Sequence, residues 1–348
     1  MKAAVLKEKG VISVEEVPIP EFSESSMLIR VEACGLCGSD LRIFSKGDSR
    51  AKYPVILGHE IAGVVEKKGS QLNGFKEGDR VCVAPGHGCG ECKMCQRGFL
   101  NLCVSPFPSV GYAYDGGFAQ YFVPPVNVVQ NGFINKIPDH VTFDQASYSE
   151  LLACCLNGQR NTPVAPGDYV VIFGAGPAGC THLQLARKKG AKKVFLVDIA
   201  EDRLAFASKF SPDLCILATK EDVMSVIQQE TEGWGADAVF VCAPSKEAQQ
   251  LGIHILAPRG KINFFGGLSK HDCNIELDSN LVHYKELTLS GSSSSLPKDN
   301  KEALEWISEK RVNPDDVISH ILPLDKIHDA FASMQDRTCT KIIIKPWA

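Results

Sequence analysis

The fold is decided by Tyr169-Val170-Val171-Ile172-Phe173-Gly174-Ala175-Gly176-Pro177-Ala178-Gly179. An apolar run of strand length leads directly into three glycines with GxGxxG spacing, and a stretch of helix length follows. The first glycine permits a tight turn, the second lets the backbone approach a pyrophosphate, and the third lets helix and strand pack closely. This order predicts a dinucleotide site at a helix N-terminus. Its candidate residues are Gly174, Gly176, Pro177, Ala178 and Gly179.

The next apolar run, 194–197, ends at an acidic residue, Asp198. A carboxylate at this strand end can accept hydrogen bonds from both hydroxyls of a ribose, but it repels a 2′-phosphate. The position therefore favours NAD over NADP. Arg203, shortly after it, is a candidate phosphate contact and would weaken that preference.

Further apolar runs continue this alternation of strands and helices. They cover 238–241 and 261–265, and the series fades near 287–291. Continuous apolar strands joined by helices predict a doubly wound parallel sheet of the Rossmann type, buried on both faces. The remaining sequence predicts helices near 300–310 and 324–334 and a last strand at 341–345.

The first 130 residues or so have a different pattern, with short alternating segments separated by turns. Period-two alternation of this kind predicts a β-rich domain. The predicted strands are 3–6, 11–14, 27–31, 61–66, 80–84 and 118–123.

Four cysteines lie close together in a glycine-rich segment: Cys89, Cys92, Cys95 and Cys103. Zinc binds four thiolates tetrahedrally, and such a closed shell leaves no position for a substrate, so the spacing predicts a structural zinc site. An apolar cluster of reduced cysteines is disfavoured because Gly, Glu and Lys separate them. A zinc ribbon that binds nucleic acid is disfavoured because Glu91 offsets Lys93.

A second group lies upstream and comprises Cys37, Ser39, Asp40, His59 and Glu60. A thiolate, an imidazole and a carboxylate can hold zinc and leave a fourth position open, as catalysis requires. Spacing alone does not distinguish these ligands from a reactive thiol or a buried Cys-His pair. We expect Asp40 to orient His59, since a ligating histidine donates its other N–H to an acceptor.

Composition narrows the classes of partner. The chain has 348 residues, which favours two domains, and its net charge of -4 with dispersed basic residues argues against nucleic acid or an anionic membrane. The apolar run near residue 1 is too short for the apolar core of a signal sequence, so we expect none, and the sequence has no apolar stretch of about 18 residues. The 14 cysteines are therefore expected to be thiols and metal thiolates in a cytoplasmic protein that acts on a small molecule.

Taken together, the motifs resemble the zinc-containing medium-chain dehydrogenases, within their sorbitol and polyol dehydrogenase branch, and they are also similar to galactitol-1-phosphate and threonine dehydrogenases. The resemblance covers essentially the whole chain. It rests on 34–40 (Cys-Gly-Leu-Cys-Gly-Ser-Asp), 58–60 (Gly-His-Glu), 78–81 (Gly-Asp-Arg-Val), the four cysteines, 115–119 (Asp-Gly-Gly-Phe-Ala) and the dinucleotide fingerprint, in this order.

The resemblance implies a catalytic zinc held by Cys37 and His59, with Glu60 and Glu150 as the candidates for the third protein ligand; both stay open. It also implies that Ser39 relays the proton released from the substrate. Cys34, Cys82 and the pair Cys154-Cys155 match no ligand position, and we assign them no role.

The implied fold is a GroES-like β-rich catalytic domain formed by 1–154 and 291–348, with a Rossmann NAD-binding domain, 155–290, inserted between the two parts. The implied cofactors are NAD and two zinc ions per chain, one catalytic and one structural. Members of the family are usually dimers or tetramers, so we expect a homodimer or homotetramer.

The implied reaction is hydride transfer between a secondary alcohol and NAD, which gives the ketone. The candidate substrates are a polyol, a sugar alcohol or its phosphate, or an inositol-type alcohol. Sorbitol itself is disfavoured because 291–295 reads Gly-Ser-Ser-Ser-Ser where sorbitol dehydrogenases carry an Arg-Tyr pair. The alternatives are a zinc-free, NADPH-linked reductase of the same fold and a non-catalytic redox sensor that binds NAD and zinc.

Overall fold

The structure is a computed structural model that describes residues 1–86, 88–105, 109–269, 272–336 and 340–348. The strands are β1 (Lys2–Glu8), β2 (Val11–Glu16), β3 (Met27–Leu36), β4 (Val55–Ile56), β5 (Glu60–Lys68), β6 (Arg80–Val83), β7 (Tyr121–Phe122), β8 (Ile134–Lys136), β9 (Tyr169–Phe173), β10 (Lys193–Asp198), β11 (Leu214–Leu217), β12 (Ala236–Val241), β13 (Leu256–Phe264), β14 (Thr288–Gly291), β15 (Ile318–Pro323) and β16 (Lys341–Lys345).

The helices are α1 (Gly38–Lys46), α2 (Lys93–Gln96), α3 (Val126–Gln130), α4 (Phe143–Ser147), α5 (Ser149–Asn161), α6 (Pro177–Lys188), α7 (Glu201–Ala207), α8 (Val223–Glu230), α9 (Lys246–His254), α10 (Ser279–Lys285), α11 (Pro297–Ser308) and α12 (Ile327–Gln335). Short 3-10 turns cover Leu100–Leu102, Ser208–Phe210, Pro314–Asp316 and Leu324–Lys326. None of the helices in the described ranges is long and apolar enough to cross a membrane.

The chain divides into two compact units. One unit is formed by Met1–Ala153 together with Ser294–Ala348, and the other is the continuous segment Cys154–Ser293. We refer to them as the catalytic unit and the nucleotide unit. The catalytic unit is therefore discontinuous in sequence, and the nucleotide unit is inserted into it.

The nucleotide unit is built on a six-stranded parallel sheet with the order β11-β10-β9-β12-β13-β14. Numbered along the chain, these strands lie in the order 3-2-1-4-5-6, which is the doubly wound Rossmann arrangement. Alternate residues of the central strand β9 point to opposite faces, since Val171 and Phe173 join one apolar cluster while Val170 and Ile172 join another. Both faces are covered, which explains the unbroken apolar runs and confirms the predicted fold class.

The catalytic unit contains a three-stranded sheet, β2-β1-β4, and a larger sheet with the order β15-β16-β3-β5-β6-β8, in which β7 also pairs with β3. Strand β16 pairs with β15 on one side and with β3 on the other. The last strand thus lies inside this sheet and pairs with β3, whose residue Leu36 lies 305 residues before Lys341 in the sequence. The β-rich character predicted for this part of the chain is confirmed.

One predicted strand is shorter than expected. The pattern predicts a strand over 118–123, whereas the structure has a strand only at Tyr121–Phe122. The preceding backbone makes single hydrogen bonds to different elements: Phe118 N donates to Leu57 O, and Phe118 O accepts from Ala4 N. An alternating pattern reports which side chains are buried, and a connector between two sheets can have the same alternation as a paired strand.

Candidate functional site

The end of β3 and the start of β5 bring the metal-ligand candidates of the catalytic unit together. Cys37 follows β3 and precedes α1, while His59 directly precedes β5 and Glu60 is its first residue. Asp40 joins the two segments, because its carboxylate accepts hydrogen bonds from Cys37 N at 2.9 Å and from Gly58 N at 3.2 Å. Since Asp40 is fully buried, these bonds fix the backbone on both sides of the site.

Gly58 is required by this close approach. Its φ is +91°, and a Cβ there would lie 2.7 Å from Cys34 Sγ and 2.8 Å from the Phe118 ring. A residue with a side chain would therefore be strained and would clash, which displaces His59. The Gly-His-Glu motif thus has a steric reason for its glycine.

The ligand atoms of Cys37, His59 and Glu60 all lie within 4.8 Å of one another. A thiol, an imidazole and a carboxylate at this spacing are a suitable donor set for zinc with one open position. His59 and Glu60 are buried, and a cation would compensate the negative charge that these groups concentrate there. The residues therefore fit a catalytic zinc ion.

The imidazole of His59 lies between two other candidates. Its Nδ1 is 3.3 Å from Asp40 Oδ1, and its Nε2 is 3.4 Å from Ser39 Oγ. Burial lowers the pKa of His59, but the charges and hydrogen bonds of Asp40 and Cys37 raise it by more, so its pKa lies well above the ordinary value. With Nδ1 directed at Asp40, the ring presents Nε2 to a metal.

Glu150 is the second residue of α5 and is 6 % exposed. It does not belong to the group of three described ligand atoms that lie within 4.8 Å of one another. Its charge nevertheless reaches the same region, since it contributes to the pKa of Lys341. Glu60 is therefore the acidic candidate that the structure brings next to Cys37 and His59.

Lys341, the first residue of β16, is a component of the site that the sequence did not indicate. Its ammonium group pairs with Glu60 Oε2 and donates a hydrogen bond to Leu36 O at 3.2 Å. Burial lowers the pKa of Lys341, but the charges of Glu60, Cys37 and Glu150 outweigh it and raise its pKa above the ordinary value. The available signal in the sequence was a lysine that directly precedes three isoleucines in the last strand.

The four cysteines of the second cluster also converge. Cys89 Sγ is 3.9 Å from Cys95 Sγ, and Cys92 Sγ is 4.0 Å from Cys103 Sγ. Four sulfurs bound tetrahedrally to one zinc ion at about 2.3 Å stand roughly 3.8 Å apart, which matches these distances. The backbone N–H of Cys95 donates to Cys92 Sγ and is the main cause that lowers the pKa of this thiol to about 6. The cluster fits a structural zinc ion.

The predicted dinucleotide turn connects β9 to α6 in the nucleotide unit. Gly174 has a φ of +102°, and a Cβ on Gly179 would lie 1.7 Å from Gly174 O. Gly176 is the N-cap of α6, with Pro177 and Ala178 in the first turn. The three glycines thus have the positions that a turn around a pyrophosphate requires.

Asp198 ends β10 beside this turn. Its carboxylate accepts hydrogen bonds from Ala175 N at 2.7 Å and from Ala200 N at 2.9 Å, so its orientation is fixed. Arg203 lies close by, with Nη1 3.8 Å from the Cβ position of Gly176. The structure therefore brings one acidic and one basic side chain to the glycine turn.

Two family models match the chain. The model described as alcohol dehydrogenase GroES-like domain matches residues 23–138, and the model described as zinc-binding dehydrogenase matches residues 177–309. Among curated proteins, D-xylulose reductase A of Aspergillus oryzae is 30 % identical over 341 residues, which covers 96 % of this chain and 93 % of that protein.

Solved structures have the same fold over nearly the entire chain. A protein of Sinorhizobium meliloti 1021, described as a zinc-binding dehydrogenase and bound to NADP, is 29 % identical with a TM-score of 0.92, and the match covers 99 % of both chains. Galactitol-1-phosphate dehydrogenase from Escherichia coli is 25 % identical with a TM-score of 0.89, and the match covers 99 % of this chain and 100 % of the other.

Proposed function

The chain belongs to the zinc-binding dehydrogenases with a GroES-like alcohol dehydrogenase domain, and we propose that it transfers a hydride between a secondary alcohol and NAD, giving the ketone. It is an oxidoreductase of the alcohol and polyol dehydrogenase type that uses zinc and a nicotinamide cofactor. The observation that supports the proposal is the group formed by Cys37 with the buried His59 and Glu60, in a chain whose nucleotide unit contains a dinucleotide turn.

Cys37, His59 and Glu60 would hold the catalytic zinc, with Glu150 as a further candidate ligand. Bound there, zinc supplies a Lewis acid that lowers the pKa of the substrate hydroxyl. Asp40 keeps the imidazole in the orientation that presents Nε2. Ser39 Oγ, 3.4 Å from that nitrogen, is placed to accept the hydroxyl proton and pass it outward.

A second zinc ion would occupy the site formed by Cys89, Cys92, Cys95 and Cys103, for a total of two per chain. Its four thiolates fill the tetrahedral shell, so this ion would stabilise the segment around it and take no part in the reaction. We further propose a homodimer or homotetramer, on the basis of family membership, which light scattering coupled to gel filtration would test.

Asp198 supports NAD as the cofactor, because a fixed carboxylate at the end of β10 would repel a 2′-phosphate. The NADP bound to the Sinorhizobium protein shows that this fold also accepts the phosphorylated cofactor. Replacing Asp198 by serine should lower kcat/KM for NAD by about 10- to 100-fold, the effect of losing hydrogen bonds to a charged acceptor, and should raise it for NADP. Asp213→Asn is a suitable control, because Asp213 also accepts a backbone hydrogen bond, from Val194 N at 2.6 Å, outside the glycine turn.

The proposed substrate class is a polyol, a sugar alcohol or its phosphate, or an inositol-type alcohol. The Aspergillus relative is named for D-xylulose and the Escherichia coli structure for galactitol 1-phosphate. All of these compounds carry a secondary hydroxyl or the corresponding ketone flanked by further hydroxyl groups. The single catalytic arrangement of Cys37, His59 and Glu60 serves each of them, so substrate choice depends on other side chains.

A panel assay tests the proposal. The protein is incubated with NAD or NADP and with polyols, polyol phosphates, inositols and threonine at alkaline pH, while reduced nicotinamide is followed by absorbance and zinc by elemental analysis. We expect NAD-dependent turnover of a secondary alcohol with about two zinc ions per chain. Cys37→Ser should abolish turnover and lower the zinc content to about one.

Cys34→Ala is the matched control for Cys37→Ser. Cys34 lies three residues upstream and is buried, and it does not belong to the group of described ligand atoms formed by Cys37, His59 and Glu60. This variant should keep both zinc ions and its turnover. Wild-type protein with zinc but no turnover would favour a non-catalytic sensor, and NADPH-linked activity without zinc would favour the zinc-free reductase.

A further inference from the structure

Three neighbouring strands of the catalytic unit create an unusual contact. Strand β3 lies between β16 and β5, and Gly35 of β3 pairs with Ile343 of β16 on one side and with Glu60 of β5 on the other. Lys341 lies two residues before Ile343, so it projects to the same face of the sheet as Gly35 and Glu60. Lys341 and Glu60 therefore meet across the middle strand, over a residue that has no side chain.

The contact between Lys341 and Glu60 is possible because Gly35 has no side chain. A Cβ on Gly35 would lie 1.9 Å from Glu60 Oε2 and 3.1 Å from Lys341 Cε. Strands two positions apart are separated by roughly 9.5 Å, a gap that a lysine and a glutamate can bridge only when nothing projects from the strand between them. The contact is thus determined by the pairing of the three strands and by the glycine between the two charged side chains.

Both charged groups are removed from water. Lys341 is 1 % exposed and Glu60 is fully buried. Apart from the contact with Lys341, neither carboxylate oxygen of Glu60 accepts a hydrogen bond from the described residues. A buried carboxylate with so few partners responds strongly to any cation beside it, because its charge is poorly compensated otherwise.

We propose that Lys341 is a positioning residue that competes with the catalytic metal for the Glu60 carboxylate and thereby limits how strongly Glu60 coordinates that metal. The inference rests on the proposed function, because it assumes a metal held by Cys37 and His59. Lys341 acts through Glu60 and touches neither substrate nor cofactor in this role.

Charge balance explains why such competition is useful. Cys37, Glu60 and Glu150 offer three negative charges near one divalent cation, Asp40 adds a fourth behind His59, and Lys341 supplies a third positive charge. Without Lys341 the excess of negative charge would be larger, which would strengthen metal binding and weaken the pull of the metal on the substrate hydroxyl. Lys341 thus keeps the bound metal electrophilic, and it lowers the affinity of the site for that metal.

Cobalt substitution provides a readout that does not depend on turnover. The visible absorption of Co²⁺ reports the number and strength of its ligands, and the four-cysteine site contributes equally in every variant, so it cancels in difference spectra. Lys341→Met should change the cobalt spectrum relative to wild type, as Glu60 coordinates more fully. It should also slow the loss of zinc to a chelator by about tenfold, the lower end of effects produced by groups behind a metal ligand.

The matched control is Lys345→Met. Lys345 lies on the same strand and pairs with Asp144 at 2.6 Å, away from the metal ligands. The same substitution there removes a lysine-carboxylate pair from β16 and should leave the cobalt spectrum and the rate of zinc loss unchanged. A Lys341→Met protein that matches this control in both measurements would overturn the inference.

A second comparison covers the case in which Lys341→Met does not fold. Glu60→Gln and the double variant Glu60→Gln/Lys341→Met should have the same cobalt spectrum, because Lys341 alters the ligand set only through the carboxylate. Their rates of zinc loss should differ by much less than the effect of Lys341→Met alone, since only the charge of Lys341 on Cys37 and Glu150 remains to act. The double variant leaves no buried unpaired charge and should fold. A difference between the cobalt spectra of the two proteins would contradict the inference, whereas wild-type protein that takes up no cobalt at Cys37 and His59 would contradict the proposed function as well.

Discussion

Gly35 is not a metal ligand, but its replacement should disturb the metal site directly. In Gly35→Ala the new methyl group would occupy the space of Glu60 Oε2, at 1.9 Å, so the Glu60 carboxylate must leave its position beside Cys37 and His59 as well as beside Lys341. We expect the zinc content to fall from about two to about one and the free energy of unfolding to drop by about 1–3 kcal/mol, the usual cost of overpacking. Elemental analysis and urea unfolding would measure the two effects.

Gly38→Ala is the control for this substitution. Gly38 is the first residue of α1, next to Cys37, and a Cβ there would meet no atom within 4 Å. It should therefore keep both zinc ions. If Gly35→Ala retained the zinc content and turnover of this control, the close packing of Glu60 against Gly35 would have no importance for the site.

His182 should make the stability of the nucleotide unit depend on pH. It is fully buried on α6, stacked on Phe240 with ring centroids 4.5 Å apart, and burial lowers its pKa to about 3. The unfolded chain, with a pKa near 6.5, binds more protons between these values. Stability is thus complete above about pH 6.5 and decreases as the pH falls toward 3, by on the order of 5 kcal/mol in total.

Replacing His182 by phenylalanine should remove this dependence, because the ring stack is kept and the titrating group is lost. Urea midpoints measured between pH 4 and 7 would show a flatter profile for His182→Phe than for wild type. His254→Phe, at an exposed position on α9, should keep the wild-type profile. Parallel profiles for wild type and His182→Phe would mean that His182 is not buried in its neutral form.

At the scale of elements, the polar side chain of Asn263 on β13 connects three pieces of the nucleotide unit. Its amide nitrogen lies 3.3 Å from Gly158 O of α5, 3.1 Å from Thr162 Oγ1 and 3.2 Å from Ser290 Oγ of β14. Asn263→Ala would remove these three hydrogen bonds from a largely buried polar cluster, which should cost about 1–3 kcal/mol. Chemical denaturation should detect this loss.

A graded control is available at Ser292, whose hydroxyl donates one hydrogen bond to Asn263 Oδ1 at 3.0 Å. Ser292→Ala removes that single bond at a partly exposed site and should cost about 1 kcal/mol or less. Equal losses for the two variants would show that the contacts of Asn263 with α5 and β14 contribute little.

The sequence predicted best those elements whose structure depends only on residues close to one another in the sequence. The turn from β9 to α6 needs glycines at fixed offsets after an apolar strand, and the four-cysteine cluster needs short spacings, so both are visible in one window of residues. Lys341 was missed because its partner Glu60 is reached through strand pairing across β3, which no local pattern contains. The third zinc ligand stays open for the same reason, since Glu60 and Glu150 come from different elements.

At the scale of the whole molecule, the insertion of one unit into the other gives the last strand a special position. The nucleotide unit has all six strands of its sheet within Cys154–Ser293, whereas the catalytic unit depends on β16 from the end of the chain. Ile342, Ile343 and Ile344 of this strand are fully buried. The two units should therefore respond very differently to a C-terminal truncation.

Deletion of residues 341–348 should abolish zinc binding at Cys37 and turnover, while NAD binding to the nucleotide unit is retained. Losing three buried isoleucines removes roughly 5–9 kcal/mol of apolar burial, as much as the entire stability of many domains. Limited proteolysis should then leave a protected fragment close to 154–293, and calorimetry should still detect NAD. Deletion of 346–348 alone, which keeps β16, should preserve zinc and turnover. A protein lacking 341–348 that still held two zinc ions would show that β3 and β5 form the metal site without their C-terminal neighbour.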